Sequence, residues 1–173
     1  MKTTFSRQFA MIAALLLACL LITGILFRFL MRSSVEDDKQ ETLMRDADAV
    51  ADLAEAYDSV GDLRNNYDFH ISLSLFTKVS NAEALLCDTD GVIRLCSCED
   101  FSCDHIGRSV DPVLLAEIQK DGTHYEETSL SGIYDETRYL AGRMLTARSG
   151  EQIGYVLVSA PMTQTHDFLL HSS

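Results

Sequence analysis

The N-terminal part of the chain is dominated by one uncharged apolar run. Residues 9–27 read FAMIAALLLACLLITGILF, and this length matches the ~20 helical residues that cross a bilayer. Arg28 interrupts the run near its end, where a long basic side chain can extend to the membrane interface. The pattern therefore predicts a transmembrane helix over residues 9–31, preceded by a cytoplasmic stub over residues 1–8.

A second helix is predicted to follow directly, in a juxtamembrane segment over residues 32–62. Its apolar residues recur at spacings of three and four, which places them in one stripe: Leu43, Ala47, Val50, Ala54 and Tyr57. Gly61 suits the end of such a helix. The stripe fits two partners, either the rest of its own domain or the same helix of a second copy. The second partner predicts a homodimer through residues 43–57.

Residues 63–163 are predicted to form the folded domain, and the first segment of this domain is ambiguous. Within residues 67–79, alternate apolar positions favour a strand. The spacing of Ile71, Leu75 and Val79, in contrast, fits a helix. Periodicity alone leaves both structures open.

The pattern beyond this segment is more decisive. Apolar residues on both sides of Asp88-Thr89-Asp90-Gly91 predict two strands joined by a tight turn. A short helix is predicted from Asp111 as its N-cap to Gly122 at its end. Three further strands are expected after it: 124–130, 137–145 and 152–160. This order predicts an α+β fold with an antiparallel sheet of about five strands, followed by a tail over residues 164–173.

Charge is distributed unevenly along the chain. Four of the 14 basic residues lie in the first 32 positions, whereas all 26 acidic residues lie after position 35. The exported part is therefore acidic and repels nucleic-acid phosphates, which argues against nucleic acid as a partner. No small-x-small cleavage site follows the apolar run, so an uncleaved anchor is favoured over a signal peptide. The short N-terminal stub and the cysteine-rich domain predict a cytoplasmic N-terminus and an extracytoplasmic location for residues 33–173.

Three short motifs occur along the predicted domain in a recognisable order. They are Asp88-Thr89-Asp90-Gly91-Val92, then Ile106-Gly107-Arg108, then Gly150 followed by Ile153-Gly154-Tyr155-Val156. With these motifs the chain resembles the extracytoplasmic PAS-like, or Cache-type, sensor domains. The cysteine-rich segment 96–105 makes it similar to the sensor regions of membrane histidine kinases from anaerobic Gram-positive bacteria. The resemblance implies a single-pass protein of a bacterial cell membrane that serves as the signal-input part of a two-component system.

Kinases of this family continue into a phosphoacceptor helix and an ATP-binding module. The 173 residues contain no histidine in a phosphoacceptor context and no glycine-rich phosphate loop. They also lack the short motifs of hydrolases. We therefore expect a sensory chain without catalytic residues, as a fragment or a truncated product of a kinase.

Four cysteines lie close together beyond the apolar run: Cys87, Cys96, Cys98 and Cys103. Disulfides persist outside the cytoplasm, and a Cys98–Cys103 bridge would close a four-residue loop. Cys96–Cys103 is the competing pair, and Cys87 fits a buried strand position. One alternative is a zinc site formed by Cys96, Cys98, Cys103 and His105, although its spacing departs from the usual C-x2–4-C knuckle, and the other is a set of free, buried or redox-responsive thiols. Such a site would make the chain an anchored metal- or redox-binding protein; otherwise no cofactor is expected.

A small-ligand site is the remaining candidate. The resemblance to PAS-like sensors implies a pocket between the sheet and the loop or short helix that covers it. By position, polar residues of the C-terminal strands and their connection are the candidates: Tyr125, Tyr134, Arg138, Tyr139 and Arg143. Arg138 suits a bidentate pair with a carboxylate ligand. Alternating Arg and Tyr residues also occur on half-solvated strands that bind nothing, so both interpretations stay open.

Overall fold

The computed structural model describes residues 2–57, 60–98 and 103–162, and within the first helix it describes the side chains of residues 7–30 and 38–54. The helices there are α1 (Lys2–Ala54), α2 (Val60–Asn65), α3 (Tyr67–Ser80) and α4 (Pro112–Asp121). The strands are β1 (Glu83–Cys87), β2 (Ile93–Cys96), β3 (Thr123–Thr128), β4 (Arg138–Thr146) and β5 (Gln152–Pro161). The predicted tail, residues 164–173, lies outside the described residues.

The chain divides into two compact units, Met1–Lys39 and Gln40–Ser173. In the first unit, the 24-residue stretch Arg7–Leu30 is helical and is long and apolar enough to cross a membrane. The predicted helix over the apolar run is therefore confirmed as a helix. The second unit begins inside the predicted juxtamembrane segment rather than after it, so the last part of α1 belongs to the same unit as the sheet.

The five strands form one antiparallel sheet in the order β2-β1-β5-β4-β3. The last strand, β5, lies in the centre between β1 and β4, and its residues 153–159 are all buried. Successive residues of a strand point to opposite faces, so this continuous burial means that both faces of the sheet are covered. The predicted α+β fold with a five-stranded antiparallel sheet is confirmed.

One face of the sheet packs against the helices that precede it. The apolar stripe of α1 is buried there, with Leu43 at 3% and Val50 at 0% exposure. These side chains belong to one apolar cluster with Val156 and Val158 of β5. The apolar stripe therefore packs within its own domain, which is one of the two partners that the sequence left open. Other side chains of the same helix, such as Leu53 at 43% exposure, stay accessible, and a homodimer through residues 43–57 stays a prediction.

The second predicted helix also ends earlier than expected. α1 ends at Ala54, whose carbonyl accepts a hydrogen bond from the Tyr57 N–H at 3.0 Å. Gly61 does not end a helix but lies inside α2, so that part of the prediction is wrong. The earlier end allows Val60 and Leu63 of α2 to be buried in the core, and this tertiary packing outweighs the weak preference of a single glycine.

The ambiguous segment over residues 67–79 forms the helix α3. Asn66 caps its start by accepting a hydrogen bond from the Phe69 N–H at 3.0 Å, and Asn81 ends it in the left-handed conformation at φ 54°. The buried residues are four apart: Phe69, Leu73 and Thr77. The apolar residues whose spacing fitted a helix lie outside this core, and their exposed fractions are 42% for Ile71, 60% for Leu75 and 88% for Val79.

The opposite face of the sheet is covered by α4, which forms where the sequence predicts it. Asp111 caps the helix by accepting a hydrogen bond from the Val113 N–H at 2.9 Å, and Gly122 ends it at φ 80°. Leu114 and Ile118 are its buried residues. They place the apolar side of α4 against the sheet.

The turn between β1 and β2 is organised by Asp88. One carboxylate oxygen accepts hydrogen bonds from the N–H groups of Asp90 at 3.0 Å and Val92 at 2.9 Å. The other accepts one from Arg94 Nε at 2.7 Å. Burial by itself would raise the pKa of Asp88, but these hydrogen bonds and the Arg94 charge outweigh it and lower the pKa below 3.8.

Replacing Val50 by Asp is expected to destabilise the domain by about 4 kcal/mol or more, because an unpaired carboxylate would lie among apolar side chains. Leu53→Asp is the matched control on the same helix, since Leu53 is 43% exposed and should change the free energy of unfolding by less than about 1 kcal/mol. Urea unfolding of the full chain in detergent, followed by circular dichroism, measures both. Equal effects would contradict the packing of the stripe in its own domain.

Asp88 is expected to contribute stability that is present above the ordinary carboxyl pKa of 3.8 and is lost as the pH falls through the lower pKa of the folded state. Asp88→Asn removes this contribution. The difference in urea midpoint between the parent and the Asp88→Asn chain should therefore be constant near neutral pH and shrink on acidification below pH 3.8. A difference that grows on acidification would show that the carboxylate is not stabilised in the folded protein.

Candidate functional site

The sheet face beneath α4 is apolar in its middle and polar at one end. We call it the α4 face. Its centre is packed by side chains such as Leu85, Ile118, Leu140 and Leu157, all at most 1% exposed. Towards the end of β5, in contrast, polar side chains enter the same face. A binding site that uses polar contacts is therefore expected at this end of the face.

Four residues form this polar end of the α4 face: Glu83, Tyr134, Arg138 and Ser159. Three of them come from the neighbouring strands β1, β4 and β5, and Glu83 lies directly opposite Ser159 in the strand pairing. Tyr134 comes from the connection between β3 and β4. A half-buried acid, a guanidinium and two hydroxyl groups therefore meet over the central strand.

Arg138 is the most constrained of these side chains. Its guanidinium lies 4.7 Å from the centre of the Tyr134 ring, and one Nη atom pairs with Glu83 Oε2 at 3.2 Å. The side chain is only 15% exposed. Its Nε–H is buried and has no hydrogen-bond partner among the described residues. An unsatisfied buried donor costs free energy, so this Nε–H lacks the acceptor that a buried donor normally has.

Tyr134 and Ser159 hold the end of the face together. The Ser159 hydroxyl is fully buried and donates a hydrogen bond to the Tyr134 hydroxyl oxygen at 2.9 Å. Burial raises the pKa of Tyr134, while the Ser159 hydrogen bond acts in the opposite direction. The tyrosine is therefore a neutral group at physiological pH, and its ring contacts the Arg138 cation through its π face.

The connection that carries Tyr134 has an unusual backbone. Leu130, Ser131 and Gly132 all have positive φ values, of 50°, 55° and 86°. Leucine rarely adopts this conformation, which costs on the order of 1 kcal/mol or more. Leu130 is nevertheless 1% exposed, so its burial offsets the strain. Such strain tends to be retained where a loop must hold a fixed position over a site.

The five residues proposed as ligand contacts from the sequence do not lie together. Tyr134 and Arg138 are at the polar end of the α4 face. Tyr125 and Tyr139 stack on each other with ring centres 6.3 Å apart. They pack on the opposite face of the sheet, with the residues of α1, α2 and α3. Arg143 also faces that side and pairs with Asp48 of α1 at 2.7 Å. Three of the five residues therefore serve packing and helix attachment instead of one shared site.

Two residues of the polar end were missed by the sequence reasoning. Ser159 carries a recognisable signal, because it is a single polar residue at the end of the apolar stretch YVLVSA and must find a partner if buried. The sequence gives no such signal for Glu83, since an acidic residue at the start of a strand is usually solvated. Only the pairing of β1 with β5 brings it to Arg138.

The cysteine-rich segment lies at the edge of the same face. None of the five cysteines, all of which lie in the described part of the chain, forms a disulfide in the structure, so the predicted disulfide is not supported and stays a prediction. Cys87 is buried, which together with the Asp88 charge raises its pKa to about 12, and this makes it an inert core thiol. Cys19 lies in the apolar segment of α1. The other three sulfur atoms are gathered with the His105 imidazole.

A groove of about 490 Å³ adjoins this segment and runs between α3 and the edge strand β2. Its helix side includes the exposed Ile71 and Leu75, and its strand side includes Arg94, Cys96 and Cys98. The groove opens the cysteine-rich segment to solvent.

Comparison with known proteins gives a match in fold but not in sequence. No protein-family model and no curated protein sequence matches the chain. Among solved structures, the ligand-binding domain of the Campylobacter jejuni chemoreceptor Tlp3 in complex with L-norvaline superimposes with a TM-score of 0.60 at 16% identity. The chain has the fold of a ligand-binding sensor domain. The resemblance to PAS-like, or Cache-type, sensors that the motifs carry is thereby confirmed at the level of the fold.

Two further sensors share this fold. The E. coli DcuS sensor domain matches with a TM-score of 0.52 at 10% identity, over 70% of this chain and 90% of that domain. An extracellular ligand binding receptor from Desulfohalobium retbaense matches with a TM-score of 0.57 at 13% identity, over 69% of this chain and 22% of the receptor. The Tlp3 match covers 74% of this chain and 53% of the Tlp3 domain. The chain therefore corresponds to one whole small sensor domain and to about half of the larger one.

Tyr134→Phe is expected to lower the free energy of unfolding by about 1–3 kcal/mol, because it leaves the buried Ser159 hydroxyl without its partner. Ser159→Ala should have a cost of similar size, and the double variant should lose less than the sum of the two. Thermal and urea unfolding of the three variants measure the coupling. Strictly additive effects would contradict the Tyr134–Ser159 hydrogen bond.

Proposed function

We propose that this chain is the extracytoplasmic signal-input domain of a bacterial membrane receptor and that it binds a small carboxylate ligand at the polar end of the α4 face. The observation that carries the proposal is the Arg138 guanidinium, whose buried Nε–H has no hydrogen-bond partner among the described residues, in a fold shared with ligand-binding sensor domains. A two-component histidine kinase is the receptor class that the sequence motifs favour.

Membrane attachment through α1 is part of the proposal. The apolar stretch Arg7–Leu30 and the buried stripe that includes Val50 belong to the same helix. A ligand-dependent change in the sheet that alters the packing of this stripe would therefore act on the helix that carries the anchor. The N-terminus would be cytoplasmic and the sheet would lie outside the cell membrane, because the acidic domain follows the apolar run.

Arg138 is suited to a carboxylate for geometric reasons. A guanidinium binds a carboxylate through two parallel N–H groups. On Arg138 the Nε–H has no partner among the described residues, whereas Nη2 on the same edge pairs with Glu83, so a ligand carboxylate would share this edge with Glu83. The Tyr134 ring and the Glu83 carboxylate hold the guanidinium in place. A ligand that accepts this hydrogen bond would remove the cost of the buried unsatisfied donor.

Glu83 narrows the ligand class further. It already pairs with Arg138, so the site presents an anion beside a cation, and an α-amino acid carries the complementary carboxylate and ammonium groups. The structures of Tlp3 with L-norvaline, L-valine and isoleucine make amino acids the first class to test.

The proposal predicts that a free amino acid or a small dicarboxylate stabilises the full chain. The chain would be placed in lipid nanodiscs and its melting temperature measured with each of the L-amino acids and with succinate. Ligands that raise the melting temperature would then be titrated calorimetrically. Arg138→Gln should weaken the binding of such a ligand at least tenfold, because the bidentate contact to the carboxylate is lost.

Arg148→Gln is the matched control, since Arg148 lies in an exposed turn and should leave the affinity unchanged. The melting temperature of each variant without ligand shows whether the fold is preserved. If no member of the panel raises the melting temperature, the proposal of a carboxylate ligand is contradicted. Equal affinity of the parent and Arg138→Gln chains would contradict the assigned site.

A further inference from the structure

The cysteine-rich segment brings four metal-binding side chains to one point. Cys96, Cys98, Cys103 and His105 each offer one ligand atom, and these four atoms all lie within 4.8 Å of one another. His105 Nδ1 is 3.6 Å from Cys96 Sγ. Cys96 is buried and the other three are half-buried. We call this group the cysteine–histidine cluster.

Backbone hydrogen bonds place the two halves of the cluster side by side. Cys96 is the last residue of β2, and Ile93 of the same strand exchanges backbone hydrogen bonds with the returning chain. The Gly107 N–H donates to the Ile93 carbonyl at 2.8 Å, and the Ile93 N–H donates to the Arg108 carbonyl at 2.9 Å. The strand and the segment that carries His105 are thus held in register, so the cluster does not depend on a chance approach of surface side chains.

Local hydrogen bonds orient the ligand atoms within each half of the cluster. The Ile106 N–H donates to the Cys103 carbonyl at 3.1 Å, which closes the chain around His105. On the other side, the Cys98 N–H approaches Cys96 Sγ at 3.5 Å. A backbone N–H directed at a sulfur stabilises negative charge there, as a metal-bound thiolate requires.

The dimensions of the cluster fit a tetrahedral zinc site. With Zn–S bonds of about 2.3 Å and Zn–N bonds of about 2.0 Å, the ligand atoms of a tetrahedron lie about 3.5–3.8 Å apart. The His105–Cys96 distance of 3.6 Å already has this value, and the upper limit of 4.8 Å leaves about 1 Å of contraction for the other pairs. Three thiolates and one imidazole also form a standard structural zinc set.

We propose that Cys96, Cys98, Cys103 and His105 bind one Zn²⁺ ion, in a site separate from the carboxylate site. The adjoining groove, which Cys96 and Cys98 line, gives the ion access. The His105 ring lies edge-on to Tyr134 with ring centres 5.5 Å apart. A bound ion would therefore hold His105 against Tyr134, the residue whose ring contacts the Arg138 guanidinium.

The zinc content of the full chain tests this proposal. Chain extracted from membranes in nanodiscs would be analysed by elemental mass spectrometry, before and after chelation and reloading with Zn²⁺ under a thiol reductant. One Zn²⁺ per chain is expected, together with a rise in melting temperature of roughly 5–10 °C at a hundredfold excess over Kd. Co²⁺ in place of Zn²⁺ should give the visible absorption of a tetrahedral cobalt–thiolate centre.

Matched variants separate the cluster from other sulfur and imidazole groups. Cys103→Ser and His105→Ala should each weaken Zn²⁺ retention at least tenfold and alter the Co²⁺ spectrum. Cys19→Ser and His124→Ala, which lie outside the cluster, should retain one Zn²⁺ per chain. Circular dichroism of the metal-free proteins shows whether each variant folds. If a cysteine variant does not fold, His105→Ala still tests the proposal, because His105 is only half-buried.

Two results would overturn the proposal. One is a reduced, folded chain that fails to take up Zn²⁺ or Co²⁺ stoichiometrically. The other is a disulfide between two of the three cluster cysteines in the chain as isolated, found by alkylation and mass spectrometry without reduction and accompanied by no zinc. Neither result bears on Arg138, so the carboxylate site stands or falls separately.

Discussion

The structure depends on the burial of β5 in the centre of the sheet. Because its neighbouring residues point to opposite faces, this one strand supplies both cores. Val156 and Val158 pack under α1, while Tyr155 and Leu157 pack under α4. The helices cover the two faces of this strand, and the buried Ser159 near the end of β5 lies where the apolar α4 face becomes polar.

The polar end and the cysteine–histidine cluster form one continuous line of contacts on that face. Cys96 approaches His105, the His105 ring meets Tyr134, and Tyr134 lies beneath Arg138, which pairs with Glu83. The line runs from the edge strand β2 across to β4. Tyr134 therefore contacts both the residue proposed to bind an ion and the residue proposed to bind a carboxylate.

Local chemistry explains which elements were predictable from the sequence. Asp111, Pro112 and Gly122 specify α4 with caps that act within a few residues, and Asp88 organises its turn through its own neighbours. The strands were predictable because their apolar runs are bounded by turn residues. The helix α3 was not, because the residues that form its buried face, Phe69, Leu73 and Thr77, are less apolar than those left exposed.

The sequence by itself determined the apolar helix, the acidic α+β domain, the strand order along the chain and the gathering of cysteines within a short segment. The tertiary structure decided which partner each apolar or polar face meets. An apolar stripe has the same sequence pattern whether it packs on its own sheet or on a second copy. Only the central position of β5 in the sheet buries Val50 in the core of its own domain. Likewise, Arg138 and Arg143 lie five positions apart on one strand and so point to opposite faces, but only the packing of the helices and the neighbouring strands decides which partner each face meets.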